Sequence, residues 1–331
     1  MKNVLLKDTS LTVSHISLGT VHYGTVIDEK TAESQMSFFT DNGGNFIDTA
    51  HIYGDWVPGP KGISERIIGA WLKKSGLRHK TVISTKGGHP DLAKFHVSRA
   101  TPKDILKDLD ESLQFLNTDY IDLYFYHRDN PDIPAEELLG VLEQARANGK
   151  IRYYGCSNWP LSRIQQVRRQ DFPGFVCNQI MYSLADINEY NISDKTLVLM
   201  DQELYRHHCE TGLNVMAYTS LAKGYFTKTA TGQSIPAQTA RWYSNASNER
   251  IFAELTRKAH SLNCSLSELE LAFLMHQGFV TVPIVSFSSQ QQLEQGLKSC
   301  DLTLDSETVE KLNNLKKYVY LGAGSESPLN L

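Results

Sequence analysis

The sequence is poor in cysteine, in long apolar runs and in charge of one sign, and each shortage excludes a class of protein. Its five cysteines are widely spaced over 331 residues without a C-x-x-C pair, which indicates reduced, mostly buried thiols rather than disulfides or a zinc site. No run approaches the roughly 18 apolar residues of a membrane helix, and the N-terminus has no signal-like apolar stretch. The 33 basic and 37 acidic residues are interleaved, so there is no basic stripe for nucleic acid. We therefore expect a cytoplasmic globular protein that binds neither membranes nor nucleic acid.

A dinucleotide fingerprint of the Rossmann type is also missing. No G-x-G-x-x-G follows any candidate strand, and the nearest glycine-rich segment, residues 54–62, has Pro60 where a P-loop needs its lysine. These absences argue against a doubly wound nucleotide-binding sheet.

The sequence does contain a regular alternation of short apolar segments and longer amphipathic ones. Enrichment in β-branched and aromatic residues predicts eight strands, at residues 16–18, 45–48, 81–85, 121–126, 151–156, 176–178, 214–217 and 280–283. No proline- or serine-rich linker divides the chain. Eight strands that alternate with helices predict a closed parallel (β/α)8 TIM barrel, with residues 1–331 forming a single domain.

Helix signals occupy the intervals between these strands. Amphipathic patterns predict helices near residues 30–41, 64–74, 134–148, 161–169, 193–210 and 248–262. Two further helix starts are a cap before a proline at Thr101-Pro102 and a capping box from Ser265 to Glu268. Ahead of the first barrel strand, residues 4–6 and 11–13 flank a polar turn and predict an N-terminal β-hairpin that plugs the bottom of the barrel.

Three successive strands end in residues used in proton chemistry. Asp48 ends the second strand, Lys86 the third and His127 the fourth, and Tyr53 follows Asp48 by five residues. In a barrel of this kind the C-terminal strand ends build the active site, so the four side chains should converge. A neighbouring ammonium lowers the pKa of a tyrosine phenol from about 10, and a neutral histidine can polarise a carbonyl group. The residues supply a proton but no hydride, which must come from a cofactor.

These residues and several further motifs lie at strand ends in the order that the aldo-keto reductases use. The chain resembles that family over nearly its whole length. The landmarks are Gly19-Thr20, Asp48-Thr49-Ala50 with Tyr53-Gly54, Lys86, His127-Arg128-Asp129, Gly155-Cys156-Ser157-Asn158, Asn178-Gln179, Ala217 to Ala222, and Pro283-Ile284. The resemblance implies carbonyl reduction with a nicotinamide cofactor and no catalytic metal. It assigns Tyr53 as the general acid, Lys86 and Asp48 as groups that tune it, and His127 as the group that orients the substrate carbonyl.

The resemblance also implies a cofactor site along the rim. Its members would be Gly19, Thr20, Asp48, Ser157, Asn158, Gln179, Tyr218, Thr219, Leu221, Lys223, Ser286, Ser288, Gln292 and Gln295. Ser157, Asn158 and Gln179 would bind the nicotinamide carboxamide. The stretch after the last strand has no basic side chain until Lys298, so we expect NADP(H) by family habit and keep NAD(H) as the alternative.

The substrate is less constrained by the sequence. We expect a small carbonyl or alcohol substrate bound by Tyr53, Trp56, His127, Arg128 and Trp159, and a resemblance to the microbial, sugar- and aryl-aldehyde-type branches. His89 and Trp242 are further candidates at the rim, and this set would suit a hydroxylated carbonyl or an aryl aldehyde. Residues 227–247 are rich in threonine, serine, alanine and glutamine and lack periodicity, which predicts a long irregular loop and a mobile lid.

Other readings stay open at this point. Ser157 and Asn158 are equally consistent with helix caps, Gln179 with a buried structural amide, and Tyr218 with a barrel aromatic. The same fold would serve a redox-sensing binding subunit without turnover, as in the potassium-channel β-subunits that resemble this family. A barrel hydrolase is disfavoured because no second strand-end carboxylate pairs with Asp48.

Overall fold

A computed structural model describes residues 1–167 and 169–316. Two short strands come first, β1 (Asn3–Leu5) and β2 (Thr12–Ser14). The barrel strands are β3 (Ser17–Gly19), β4 (Phe46–Asp48), β5 (Val82–Gly87), β6 (Ile121–Tyr126), β7 (Ile151–Ser157), β8 (Phe175–Met181), β9 (Asn214–Tyr218) and β10 (Thr281–Val285). The helices of the described residues are α1 (Glu29–Asp41), α2 (Ile63–Ser75), α3 (Pro102–Phe115), α4 (Ala135–Ala147), α5 (Leu161–Gln165), α6 (Gln202–Thr211), α7 (Tyr225–Thr231), α8 (Ala237–Tyr243), α9 (Ala246–Leu262), α10 (Leu266–Met275), α11 (Gln290–Lys298) and α12 (Ser306–Leu315).

Strands β3 to β10 form a closed, all-parallel barrel in chain order, with β10 pairing back onto β3. Every residue of β5, β6 and β8 is buried, as expected for parallel strands covered on both faces. This confirms the predicted (β/α)8 barrel. All eight predicted strands are present, with ends that differ by a few residues.

The N-terminal hairpin, β1 with β2, closes the bottom of the barrel as predicted. Leu6, Leu11 and Val13 are buried in one cluster with the barrel-interior residues Phe46 and Val82 at the start of their strands. Side chains at other strand starts fix the hairpin: Asn45 Oδ1 accepts from the Ser14 amide at 2.6 Å and Asn214 Oδ1 from the Lys7 amide at 2.8 Å. Because the hairpin covers this end, we look for the site at the opposite, C-terminal rim of the barrel.

Helix starts follow the predicted capping chemistry. Thr101 Oγ1 accepts from the Asp104 amide at 3.1 Å, with Pro102 in the first turn of α3. Ser265 and Glu268 form a reciprocal capping box at the start of α10. Both predicted helix starts are therefore confirmed.

Two predicted helices extend four or more residues beyond the observed ones. The helix predicted over 193–210 begins only at Gln202, because Asp194 Oδ1 binds both the amide and the hydroxyl of Thr196 and favours a turn over a helix. Helix α5 ends at Gln165 instead of Arg169. Arg168, within that prediction, and residues 317–331, within the predicted single domain, lie outside the described residues.

The prediction of a long irregular loop over residues 227–247 is wrong. Most of the segment is helical, in α7, α8 and the first residues of α9. Trp242 and Tyr243 of α8 are buried, and the Tyr243 ring packs 5.8 Å from that of Tyr225. Helices of seven residues present too few apolar positions to show a period in sequence, yet their aromatic residues anchor them to the barrel.

None of the helices in the described ranges combines the length and the apolar character that a membrane crossing requires.

Candidate active site

The four predicted catalytic residues meet at the C-terminal rim of the barrel. Asp48 is the last residue of β4 and pairs in register with Ser84 of β5, two residues before Lys86. His127 follows the last residue of β6, and its amide donates to Gly87 O at 2.9 Å. Tyr53 lies on the turn after β4. Parallel register therefore brings side chains from three strands to one point, as predicted.

Lys86 lies between the Asp48 carboxylate and the Tyr53 phenol. Its Nζ donates to Asp48 Oδ2 at 2.7 Å and to Tyr53 Oη at 3.3 Å, and it also donates to Thr49 O at 2.5 Å. Asp48 and Lys86 are each 1% exposed. Burial alone lowers the pKa of the ammonium, but Asp48 and then Tyr53 raise it above the usual value. Lys86 therefore remains charged beneath the tyrosine.

The pKa of Tyr53 moves in the direction opposite to the expected one. Burial, the largest cause, raises it above 10.0, and the opposing effect of Lys86 only partly compensates. The phenol therefore keeps its proton at neutral pH and is available as an acid. Lys86 contributes by stabilising the phenolate that remains after the proton is donated.

His127 is a neutral imidazole at this rim. Burial, followed by the charges of His89, Arg128 and Lys86, holds its pKa well below 6.5. Its ring lies 6.1 Å from that of Tyr53 in an edge arrangement. Its Nδ1 is buried without a hydrogen-bond partner among the described residues. Because an orphaned N–H is rarer in proteins than an orphaned acceptor, the proton belongs on Nε2.

Two polar residues hold the second oxygen of Asp48. Ser84 Oγ donates to Asp48 Oδ1 at 2.7 Å, and Gln179 Nε2 donates to the same oxygen at 2.9 Å. The sequence interpretation missed Ser84 as part of the site. The signal was present, because residues two apart on a strand face the same side and Ser84 precedes Lys86 by two.

The residues expected at the nicotinamide carboxamide lie at the C-terminal ends of β7 and β8 or directly after them. Asn158 has its amide fully occupied: Nδ2 donates to His127 O and Ser157 Oγ, and Oδ1 accepts from the Val198 amide and from Tyr218 Oη. Gln179 Oε1 has no hydrogen bond within the described ranges and is not enclosed. Of the two amides, Gln179 is thus the one with a free acceptor.

The remaining cofactor candidates line the rim from β9 to β3. The amide and the hydroxyl of Thr20 both donate to Asp48 O, at 3.0 Å and 2.9 Å. Thr219 and Lys223 have left-handed backbones, with φ of 56° and 57°. The Lys223 Nζ lies 4.0 Å from the centre of the Trp242 ring. Leu221 packs partly buried against the core.

Gly19 has no room for a side chain. A Cβ there would lie 2.9 Å from both Ile284 Cγ2 and Ser286 Oγ, and Ser286 Oγ donates to Gly19 O. At the start of α11 the exposed Ser288 amide donates to Gln292 Oε1 at 3.0 Å, and Gln295 is exposed one turn later. No acidic residue lies in the first turn of α11. This edge fits a dinucleotide whose phosphate meets serines and a helix N-terminus.

The predicted substrate residues have different surroundings. Trp56 is 46% exposed and lies 6.3 Å from the Tyr53 ring. Arg128 is buried, with Nη2 on Asp194 Oδ2 at 3.2 Å and Nη1 on His127 O at 2.9 Å. Trp159 is fully buried against Tyr126 and has no surface for a ligand in this structure. Trp56 is therefore the aromatic residue at the mouth.

A cluster of possible metal ligands lies on the outer side of this region. The ligand atoms of His51, Asp108 and Glu111 are within 4.8 Å of one another. Arg99 Nη2 lies 2.6 Å from Asp108 and Lys61 Nζ 3.1 Å from Glu111. Two cations already neutralise the acids, so we interpret the cluster as an ion-pair network.

Fold and site together define the class: a (β/α)8 barrel with a protonated phenol, a lysine–aspartate pair and a neutral imidazole at its C-terminal rim. Residues 15–317 match the Aldo/keto reductase family. The chain belongs to this family of oxidoreductases, whose members generally use NAD(P)H.

Relatives extend over nearly the whole chain. "Uncharacterized oxidoreductase YrpG" of Bacillus subtilis (strain 168) is 30% identical over 345 residues, covering 99% of this chain and 98% of the relative. "Protein tas" of Escherichia coli (strain K12) is 25% identical, covering 94% and 97%. A "Probable voltage-gated potassium channel subunit beta" of Oryza sativa subsp. japonica is 28% identical, covering 92% and 93%.

Proposed function

We propose that the protein reduces the carbonyl group of an aldehyde or ketone with a nicotinamide dinucleotide, and that Tyr53 is the general acid. The observation that carries the proposal is the Lys86 Nζ, held between Asp48 Oδ2 at 2.7 Å and Tyr53 Oη at 3.3 Å. A phenol above an ammonium can give up its proton and leave a stabilised phenolate.

The residues divide the work as follows. When bound, the nicotinamide supplies the hydride that the carbonyl carbon accepts. His127 donates from Nε2 to the carbonyl oxygen, which polarises it and fixes its position. Tyr53 transfers its proton to the same oxygen as negative charge develops there. Asp48 keeps Lys86 charged and oriented throughout.

For the cofactor we propose NADP(H) as the preferred dinucleotide, with NAD(H) as the competitor. Gln179 Oε1 and the Ser157 hydroxyl are suited to the carboxamide, because Asn158 is already saturated. Serines and backbone amides at the start of α11 suit a 2′-phosphate, but this end has no guanidinium or ammonium before Lys298. We therefore expect a modest preference.

The substrate we propose is a small carbonyl compound such as a sugar aldehyde or an aryl aldehyde. Support comes from the exposed Trp56 ring beside the Tyr53 ring at the mouth. Aromatic faces stack on sugar rings and on aryl groups alike.

A second candidate follows from the rice relative, whose name is that of a probable channel subunit. With the same fold, this chain would bind the dinucleotide as a redox sensor and would not act as an enzyme.

Titration and turnover test these proposals together. Quenching of tryptophan fluorescence is followed as the purified protein is titrated with NADPH and separately with NADH at matched ionic strength. Oxidation of the bound dinucleotide is then followed with simple aldehydes. Binding with turnover supports the reductase, binding without turnover of any aldehyde or ketone supports the sensor, and failure to bind either dinucleotide rejects both.

A further inference from the structure

A second imidazole lies beside His127 at the mouth of the site. The rings of His89 and His127 are 4.8 Å apart between centroids and inclined by 62°. His89 follows Lys86 by three residues, on the loop after β5. Two adjacent imidazoles at an active-site rim are more than the proposed proton transfer needs, since that reaction uses His127 alone.

The free nitrogens of the two rings have opposite hydrogen-bonding character. His89 Nδ1 lies 2.8 Å from Pro90 O, which can only accept, so this nitrogen carries the ring proton. Its Nε2 is therefore an acceptor. His127 has the reverse arrangement, because its orphaned Nδ1 leaves the proton on Nε2. The pair thus presents one donor and one acceptor.

Both of these Nε2 atoms are available to a ligand. Neither has a hydrogen bond within residues 1–167 and 169–316, and neither is enclosed by protein. Burial, assisted by the charge of Arg128, lowers the pKa of His89 to about 4. Burial likewise holds the pKa of His127 well below its ordinary value. Both rings are neutral at physiological pH, which preserves the donor–acceptor pattern.

We propose that His89 Nε2 accepts a hydrogen bond from a hydroxyl on the carbon next to the substrate carbonyl, so that the site selects α-hydroxy aldehydes and α-hydroxy ketones. The carbonyl oxygen of such a compound accepts from His127 while its neighbouring hydroxyl donates to His89. The inference rests on the proposed function and specifies the substrate class. It identifies His89 as a residue that determines specificity, with no part in the proton transfer.

Pairs of substrates that exchange a hydroxyl for a methyl group test this directly. Hydroxyacetone is compared with butanone, and glycolaldehyde with propanal, as kcat/KM corrected for the fraction of free carbonyl. A site that binds the hydroxyl should favour the hydroxylated member of each pair by about tenfold or more. Equal kcat/KM values within both pairs would overturn the proposal and leave the reductase standing.

Variants at position 89 test whether His89 causes the preference for the hydroxylated substrates. In His89→Phe the ring remains but the acceptor is lost, and the ratio should fall to near one. In His89→Gln an amide oxygen can still accept, and the ratio should stay above that of His89→Phe. Leu92→Ala, an exposed position on the same loop, is the matched control and should keep the parent ratio.

Two further outcomes are distinguishable. A parent-like ratio in folded His89→Phe, checked by circular dichroism, would remove His89 from the recognition even if the preference exists. If the parent protein reduces no carbonyl compound with either dinucleotide, the proposed function itself fails. The ratio in the parent protein decides the substrate class even where a variant does not fold.

Discussion

Ser84 Oγ donates a hydrogen bond to Asp48 Oδ1 at 2.7 Å, while the other oxygen of Asp48 holds Lys86. The hydrogen bond of the serine goes to the carboxylate and not to the phenol or the imidazole. It fixes the rotation of the carboxylate, and through it the position of the ammonium under Tyr53. Ser84 is in this sense a positioning residue.

We expect Ser84→Ala to lower kcat about tenfold with little change in KM, because a hydrogen bond to a charged group is lost where the charge is used. Steady-state kinetics with any aldehyde that the protein reduces measures kcat and KM separately. Ser17→Ala is the matched control, since Ser17 is also a buried barrel serine but its hydroxyl has no partner in the described part of the chain. An unchanged kcat in Ser84→Ala would show that Gln179 and Lys86 orient Asp48 without the serine.

Removal of the Tyr53 hydroxyl should abolish reduction and spare cofactor binding. Without the phenol, no acid lies above Lys86, and loss of a general acid typically costs 100-fold or more in rate. We expect Tyr53→Phe to bind NADPH with an affinity close to that of the parent in the fluorescence titration. Tyr190→Phe, at a fully solvated tyrosine, controls for the substitution. Activity near the parent level in Tyr53→Phe would remove Tyr53 from the acid role.

Because the ion pair of Lys86 and Asp48 is buried, its two charges should affect the stability of the fold jointly. Lys86→Met leaves the Asp48 charge buried without its partner, which should destabilise the fold by about 3 to 5 kcal/mol. The double variant Asp48→Asn with Lys86→Met removes both charges and should be more stable than either single variant. Urea unfolding of the parent, the two single variants and the double variant gives the four free energies of a double-mutant cycle.

The exposed pair Lys74–Glu33 serves as the comparison, with 2.7 Å between its charged atoms. Lys74→Met should change stability little, because a solvated ion pair contributes little. Additive effects at Lys86 and Asp48 would contradict the coupling that the geometry requires.

Much of the fold was predictable because a parallel barrel repeats one local pattern. Strands buried on both faces produce apolar runs such as 121–126, and these were identified with their exact bounds in β6. Capping residues such as Ser265 located helix starts. The convergence of Asp48, Lys86 and His127 was predictable from strand order alone, since each lies at the C-terminal end of a neighbouring strand or directly after it.

Features that depend on tertiary packing were not predictable. The sequence suggested Trp159 as a substrate residue, but in the structure this side chain is buried. Whether an aromatic side chain faces the mouth or the core depends on neighbours such as Tyr126. The pKa of Tyr53 was expected to fall, because a list of residues reveals the nearby lysine and not the burial that outweighs it. The pairing of His89 with His127 depends on a loop path that no local signal specifies.

An arginine at the start of α11 should strengthen the cofactor preference. Gln292 is exposed near Ser288, where a 2′-phosphate is proposed to lie. We expect Gln292→Arg to tighten NADPH binding about tenfold and to leave NADH binding nearly unchanged, because the guanidinium meets a group that only NADPH carries. Gln291→Arg adds the same charge on another side of the helix and serves as the control. Equal tightening of both dinucleotides would place the phosphate elsewhere.

A carboxyl group behind the site should make stability depend on pH. Glu65 of α2 is fully buried, and Thr85 Oγ1 donates to its Oε1 at 2.6 Å. Burial is the largest cause that raises the pKa of Glu65 to about 7, and Asp108 acts in the same direction. The hydrogen bond from Thr85 opposes it most, followed by Ser112 and Lys86. In the unfolded chain the pKa returns to its ordinary value of 4.5.

Since the folded pKa is the higher one, the folded state binds more protons between these values, and the contribution of Glu65 to stability falls as pH rises. It is complete below about pH 4.5 and is lost as pH rises to about 7. Glu65→Gln keeps an acceptor for Thr85 but cannot ionise. Its free energy of unfolding relative to the parent should therefore rise from pH 5 to pH 8, by up to about 3 kcal/mol, in urea titrations at each pH. Glu203→Gln, at an exposed position, should show no such trend. A pH-independent difference for Glu65→Gln would mean that the carboxyl ionises as readily inside the barrel wall as in water.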